Sequence, residues 1–212
     1  MIKLHKIIYL FLVLLLPAVF TACSESEDTY EEFPDWQKRN DAYFSAIYEQ
    51  ARNNTDGTWK LIKNFAIEDT IPTDYSDYIV VQVIKEGTGS GCPMYSDSVM
   101  VNYQGRLIPS TSYADGYVFD GSYTGDYNPA TAKPATFYVG GTVSGFSTAL
   151  QYMHIGDRWR VYIPYQLGYG SSENGSIPAY STLIYDLELV AYFRAGTTPV
   201  PWGAPMNKWI KE

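Results

Sequence analysis

The chain has 212 residues, 46% hydrophobic, 16% aromatic and only 18% charged, with a formal net charge of −8. That is apolar material for one well-filled core with appendages, and two complete domains would be crowded. The acidic balance argues against nucleic acid or an anionic lipid surface as a partner, because both need basic patches.

The N-terminus carries a processing pattern. Lys3 and Lys6 precede an apolar run from Ile7 to Leu16, broken by Pro17 and ending in Thr21-Ala22-Cys23. A basic start, a short apolar stretch and small residues before a cut site predict an export signal over residues 1–22, too short for a comfortable membrane span. Cys23 at the cut resembles a lipobox, in which the Cys is diacylated and becomes the new N-terminus. Phe20 departs from that pattern, where Leu, Val or Ile is usual, and the alternative is a secretory signal with an incidental Cys. Residues 23–33, with Ser24-Glu25-Ser26-Glu27-Asp28 and Glu31-Glu32, read as an acidic tether that cannot collapse onto a core. Such a stretch resembles the surface-export signal of Bacteroidetes lipoproteins; a plain linker leaving the domain in the periplasm is the other reading. Both place the chain in the cell envelope, held to the outer membrane by its lipid. With Cys23 acylated, Cys92 is the one thiol left, which rules out an intrachain disulfide, and its place between Gly91 and Pro93 reads as a loop.

From Pro34 to Arg52, Trp36, Asn40, Tyr43, Phe44, Ile47 and Ala51 recur at helical spacing, with Asn53-Asn54 as an exit. Asp56-Gly57 marks a turn before a short strand over 58–62. Residues 34–75 are thus an N-terminal extension expected to pack on the main domain. Strands are expected at 78–85, at 98–107 with Val99, Val101 and Tyr103 on one face, and at 117–119, cut by Asp120-Gly121. A loop over 122–134 follows, then a strand at 135–139. Phe146, Ala149, Leu150 and Met153 predict a helix capped by Ser144 and ending before a left-handed Gly156. Trp159, Val161 and Ile163 alternate in the next strand, and 164–178 is a long loop. Leu183, Tyr185, Leu187 and Leu189 face one way in the last strand, and 194–212 is a tail. Antiparallel strands around one short helix argue for an α+β fold.

Several blocks in this order are similar to the signatures of FKBP-type peptidyl-prolyl cis/trans isomerases. They are Val101-Asn102-Tyr103-Gln104-Gly105, Val118-Phe119-Asp120-Gly121-Ser122, Phe137-Tyr138-Val139-Gly140 and Val143-Ser144-Gly145-Phe146. After them come Met153-His154-Ile155-Gly156-Asp157, the run from Ile163 to Gly170, Ile177-Pro178-Ala179 and the run from Leu183 to Leu189. The resemblance spans residues 76–193 and implies an antiparallel half-barrel sheet wrapped around the short helix. It also implies rotation of X–Pro peptide bonds in polypeptide clients, against a barrier of about 18–20 kcal/mol set by amide resonance. No cofactor or metal is implied: a dry aromatic cleft that favours the twisted amide suffices.

By resemblance, Tyr103, Phe119, Phe137 and Tyr185 line that cleft, and Phe146 is its floor where relatives most often carry Trp. Val143 offers an apolar contact and its N–H, Tyr169 donates its hydroxyl to a substrate carbonyl, Ile177 presses on the proline ring, and Asp120 is a polar anchor. Macrolide-type molecules are the small ligands such a pocket implies. His154, at the helix end, is expected to be solvated or to offset the helix dipole. Two insertions, near 108–116 and 123–133, flank Phe119-Asp120 and are expected to reshape the mouth, and Ala179 stands where the family often has a second proline. Two other functions fit the residues: a module that binds proline segments without turnover, as a chaperone would, and a glycan-binding surface lipoprotein.

Overall fold

A computed structural model of the chain describes residues 31–196. The expected signal segment, Cys23 with its expected lipid, the expected tether as far as Tyr30 and the tail from residue 197 lie outside the described residues. Among the described residues, no helix is long and apolar enough to cross a membrane.

The elements run α1 (Trp36–Arg52), β1 (Trp59–Lys63), β2 (Tyr78–Lys85), β3 (Ser98–Arg106), β4 (Val118–Gly121), β5 (Ala135–Tyr138), α2 (Ser144–Tyr152), β6 (Arg158–Ile163) and β7 (Leu183–Phe193). The strands form one seven-stranded sheet in the order β1-β2-β6-β7-β3-β4, with β5 also on β3. Each pairing is antiparallel. The result is an α+β fold.

Register separates the two faces of the sheet. Val81 lies opposite Val161, which lies opposite Tyr185, which lies opposite Gly105; Trp159, Leu187 and Tyr103 form the next row. These residues face α2, whose Phe146, Ala149 and Leu150 are buried against them. The other face carries the row Val80, Tyr162 and Ile184. Here α1 packs: Tyr43 reaches Tyr162 at 6.5 Å between rings, and Trp59 stacks on the same ring at 5.9 Å. The consecutive run Ile79-Val80-Val81 is fully buried, which requires cover on both faces of β2. The extension therefore does more than lean on the domain. Its strand β1 pairs with β2 over five residues and becomes the sheet's edge.

Two local expectations are corrected, and two further elements are placed more closely. Ser144 does not cap α2: Val143 stands at the cap with no side-chain bond, and the Ser144 hydroxyl accepts from buried Asn64 Nδ2 at 2.5 Å. Asp120-Gly121 does not cut the strand off at Phe119: Asp120 pairs with Gly105 and Gly121 with Gln104, and the pair forms the last two residues of β4. Gly156 is left-handed, with φ 91, but it lies in the turn after the helix, where His154 and Asp157 close a backbone bond of 3.0 Å. The last strand runs on to Phe193, and Arg194 is anchored by Asp97, Nη1 to Oδ2 2.5 Å.

Both insertions are tied down away from α2. In the first, the Pro109 carbonyl accepts from Arg39 Nη2 at 2.7 Å, and Ser110 bonds Glu32. In the second, Tyr127 donates to Glu188, which also accepts from Asn102 Nδ2 at 2.9 Å, while the Arg158 guanidinium lies 4.2 Å over the Tyr127 ring. Asn102, Glu188 and Arg158 form one row on the outer face.

Candidate active site

Between the inner face and α2 lies a cavity of about 210 Å³ lined by Tyr103, Asp120, Phe137, Gly141, Thr142, Val143, Phe146, Tyr169 and Tyr185. Its walls follow from strand alternation. Tyr103 on β3 and Tyr185 on β7 project to the α2 side because their register partners do, and Phe137 comes in from β5 on the far edge of β3. Phe146, in the first turn of α2, meets all three: 4.9 Å from Tyr185, 6.0 Å from Phe137 and 6.5 Å from Tyr103, each near edge-to-face. That packing fixes ring orientation as well as burying area.

Gly105 makes room for the wall. A Cβ there would stand 2.5 Å from the Phe119 ring and 2.6 Å from the Tyr185 ring. Any side chain at this position would displace one of them.

The polar groups sit at the rim. Tyr103 donates its hydroxyl to Asp120 Oδ2 at 2.7 Å, and Asp120 Oδ1 accepts from the Gly121 N–H. Burial, and then the bond to Asp120, push the Tyr103 hydroxyl well above the usual tyrosine range. Burial also raises Tyr185, with Tyr169 adding to it, and raises Tyr169, with Asp120 adding to it. All three hydroxyls are therefore protonated, and able to donate, throughout the physiological range.

Tyr169 lies in the 164–182 loop, which is built to hold a shape. Gly170 N donates to the Tyr165 carbonyl at 2.8 Å, and the Gly170 carbonyl accepts from Tyr180 N at 2.9 Å. Tyr180 takes a left-handed φ of 61, a conformation that costs a non-glycine residue about 1 kcal/mol or more. Helix α1 braces the far end of the loop. Trp36 Nε1 donates to Ser181 Oγ at 2.8 Å, and Asn40 Oδ1 accepts from Thr182 N at 2.7 Å, all buried.

Of the nine residues singled out for the pocket, seven line this cavity. Phe119 does not; partly buried on β4, it meets the Tyr185 ring edge to face at 5.7 Å. Ile177 does not either: it is 5% exposed and packed into the main core, with paired backbone bonds to Asn174. Gly141 and Thr142 line the cavity without having been singled out. Their signal was available in Gly140-Gly141-Thr142, the turn that delivers Val143 to α2. The lining includes no residue of the two insertions, so neither covers the cavity. His154 is half exposed at the helix end, its Nδ1 3.6 Å from Asp157 Oδ2 and its Nε2 3.8 Å from Cys92 Sγ, and it takes no part in the cavity lining.

An open antiparallel sheet closing over one short helix, with an aromatic cleft between them, is the arrangement that the sequence resemblance implies. Residues 90–190 match the family model described as FKBP-type peptidyl-prolyl cis-trans isomerase, and this segment belongs to that family. The chain is 41% identical over 114 residues to the macrophage infectivity potentiator of Trypanosoma cruzi, covering 53% of this chain and 52% of that protein. It is 40% identical over 110 residues to the FKBP-type 22 kDa peptidyl-prolyl cis-trans isomerase of Escherichia coli K12, covering 51% and 47%. Among solved structures, FkpA from Escherichia coli aligns with a TM-score of 0.50 at 30% identity, over 74% of this chain and 60% of that one. The chain thus spans about half the length of the curated relatives it matches.

Proposed function

We propose that the protein catalyses cis/trans isomerisation of X–Pro bonds in envelope polypeptides, from a lipid anchor at Cys23. The observation that carries this reading is the gathering of Tyr103, Phe137, Phe146 and Tyr185 around one hollow, with Asp120 and Tyr169 at its rim. The cavity, about 210 Å³, suits a prolyl residue and its neighbouring amide better than a cofactor. Rotation of the bond removes amide resonance and leaves a less planar, less polar group. A dry aromatic cleft favours that group over the planar amide, so the stabilisation appears where the barrier is. In this mechanism Tyr169 holds a substrate carbonyl, and Asp120 keeps the Tyr103 ring in place through its hydroxyl. Val143, whose backbone N–H precedes the first turn of α2, contributes a second anchor. Phe119 acts through Tyr185 rather than by touching substrate, and Ile177 by stiffening the loop that carries Tyr169. Macrolide-type molecules are competing ligands for the same hollow. The acidic, small-residue segment after Cys23 supports a tethered domain at the outer membrane.

The test is isomerisation of a set of X–Pro peptides, followed by magnetisation exchange, with Asp120→Ala and Tyr169→Phe alongside. Both substitutions are expected to lower kcat/KM by roughly tenfold, the equivalent of one well-placed hydrogen bond. A wild-type rate no higher than the uncatalysed one would refute the proposal. Retained binding of a proline peptide without turnover would instead favour a chaperone module built on the same pocket.

A further inference from the structure

A run of exposed aromatic rings borders the cavity. Phe65 is 40% exposed, Tyr95 46% and Tyr138 52%, with Met94 beside Tyr95 in sequence at 58%. Single exposed apolar residues are ordinary. Here, however, the rings touch in series, 5.3 Å from Phe65 to Tyr95 and 6.5 Å from Tyr95 to Tyr138. Rings in mutual contact at the surface make one continuous apolar strip, the kind of feature on which contact sites are built.

The ledge is held rigidly. Tyr95 donates its hydroxyl to the Gly140 carbonyl at 3.3 Å, and a Cβ on Gly140 would stand 2.7 Å from the Tyr95 ring. Glycine at that position is what lets the ring lie against the turn. Phe65 follows Asn64, which is 2% exposed and bonds Ser144 Oγ at 2.5 Å, Ala66 N at 2.8 Å and, through its own N–H, the Asp77 carbonyl at 2.8 Å. Three unrelated segments are thus pinned to present their rings together, one of them from the N-terminal extension.

The ledge is also continuous with the cavity. Strand alternation sends Phe137 into the hollow and Tyr138 outward. The Tyr138 Cδ1 atom lies 3.3 Å from where a Gly141 Cβ would stand, and Gly141 lines the hollow. From Tyr138 to Phe65 the path is about 12 Å at most, the reach of roughly four extended residues.

We propose that Tyr138, Tyr95 and Phe65 form a docking ledge for the polypeptide that flanks the proline. It selects client segments carrying an aromatic or large aliphatic side chain within about four residues of the X–Pro bond. This inference rests on the isomerase reading of the cavity. It explains why the rings are exposed and yet fixed: they receive a partner whose own apolar side chains are exposed because it is unfolded.

The test uses four fluorescently labelled Ala–Pro peptides, a Phe and a Ser version with that residue three positions before the proline and a second such pair with it three positions after, and an unflanked Ala–Pro tetrapeptide as reference. Wild-type kcat/KM is expected to favour the Phe peptides by about tenfold, the burial of one ring. Phe65→Ser and Tyr138→Ser, both at exposed positions, are each expected to cut that preference at least threefold. An undiminished preference in both variants overturns the ledge. A wild-type protein inert on the tetrapeptide and on the Phe peptides refutes the isomerase reading instead. Binding anisotropy of the Phe peptides then decides the ledge: loss of the Phe-over-Ser preference in the variants supports it, and retention overturns it.

Discussion

Substituting Asn40 by Ala tests whether the N-terminal extension is a working part of the site or an accessory. Asn40 is fully buried; its Oδ1 accepts from Thr182 N at 2.7 Å, and its Nδ2 donates to the Trp36 carbonyl at 2.8 Å. The second bond is cheap to lose, since that carbonyl is already in the ladder of α1. The first is not. Thr182 is 1% exposed, so its N–H would be left buried and unpaired at a cost of about 1–3 kcal/mol. The better helix propensity of Ala returns about 0.5 kcal/mol. A net loss of about 1.5 kcal/mol is expected, read as a lower denaturation midpoint with an unchanged slope. The Thr182 amide should also exchange faster by about tenfold, if local opening governs it. A stability change under 0.5 kcal/mol together with undisturbed Thr182 protection would refute the claim that α1 braces the loop carrying Tyr169.

Two further outcomes follow from the geometry. Gly105→Ala places a methyl group 2.5–2.6 Å from the Phe119 and Tyr185 rings; overpacking costs about 1–3 kcal/mol, and calorimetry should show it together with lost activity, whereas a wild-type Tm would contradict the crowding. The folded-state pKa values of Tyr103, Tyr169 and Tyr185 are raised, so the stability they contribute is complete below the ordinary tyrosine value near 10 and is lost as pH climbs through the raised values. Ultraviolet titration should therefore show these phenols ionising above the exposed tyrosines, Tyr103 and Tyr185 furthest of all, and their ionisation alongside the exposed tyrosines in the folded protein would count against the buried hydroxyl network.

Much of this architecture was readable because strand alternation and helical spacing are local properties. Val99, Val101 and Tyr103 had to share a face, as did Leu183, Tyr185 and Leu187, and the family resemblance told which face held the cleft. What escaped the sequence depended on contacts distant in the chain. Tyr162 lies among arginines in an alternating strand and reads as outward, yet it is 6% exposed because α1 and Trp59 cover that face. Ser144 looks like a cap, but Asn64, eighty residues away, takes its hydroxyl. Asp120-Gly121 is a common turn pair, and only the partner strand keeps it extended. Phe119 and Ile177 stand outside the cavity lining, a distinction that no periodicity encodes.

Strand β1 settles how this domain coexists with the chains it is proposed to handle. Without residues 59–63, the backbone amides and carbonyls of β2 would lie open along a flat apolar edge, a template on which any extended polypeptide could add itself. A protein working among unfolded chains is unusually exposed to that accident. The extension exchanges that long edge for β1, which is five residues long and carries Lys60 and Lys63, a short charged edge of the kind that resists strand addition.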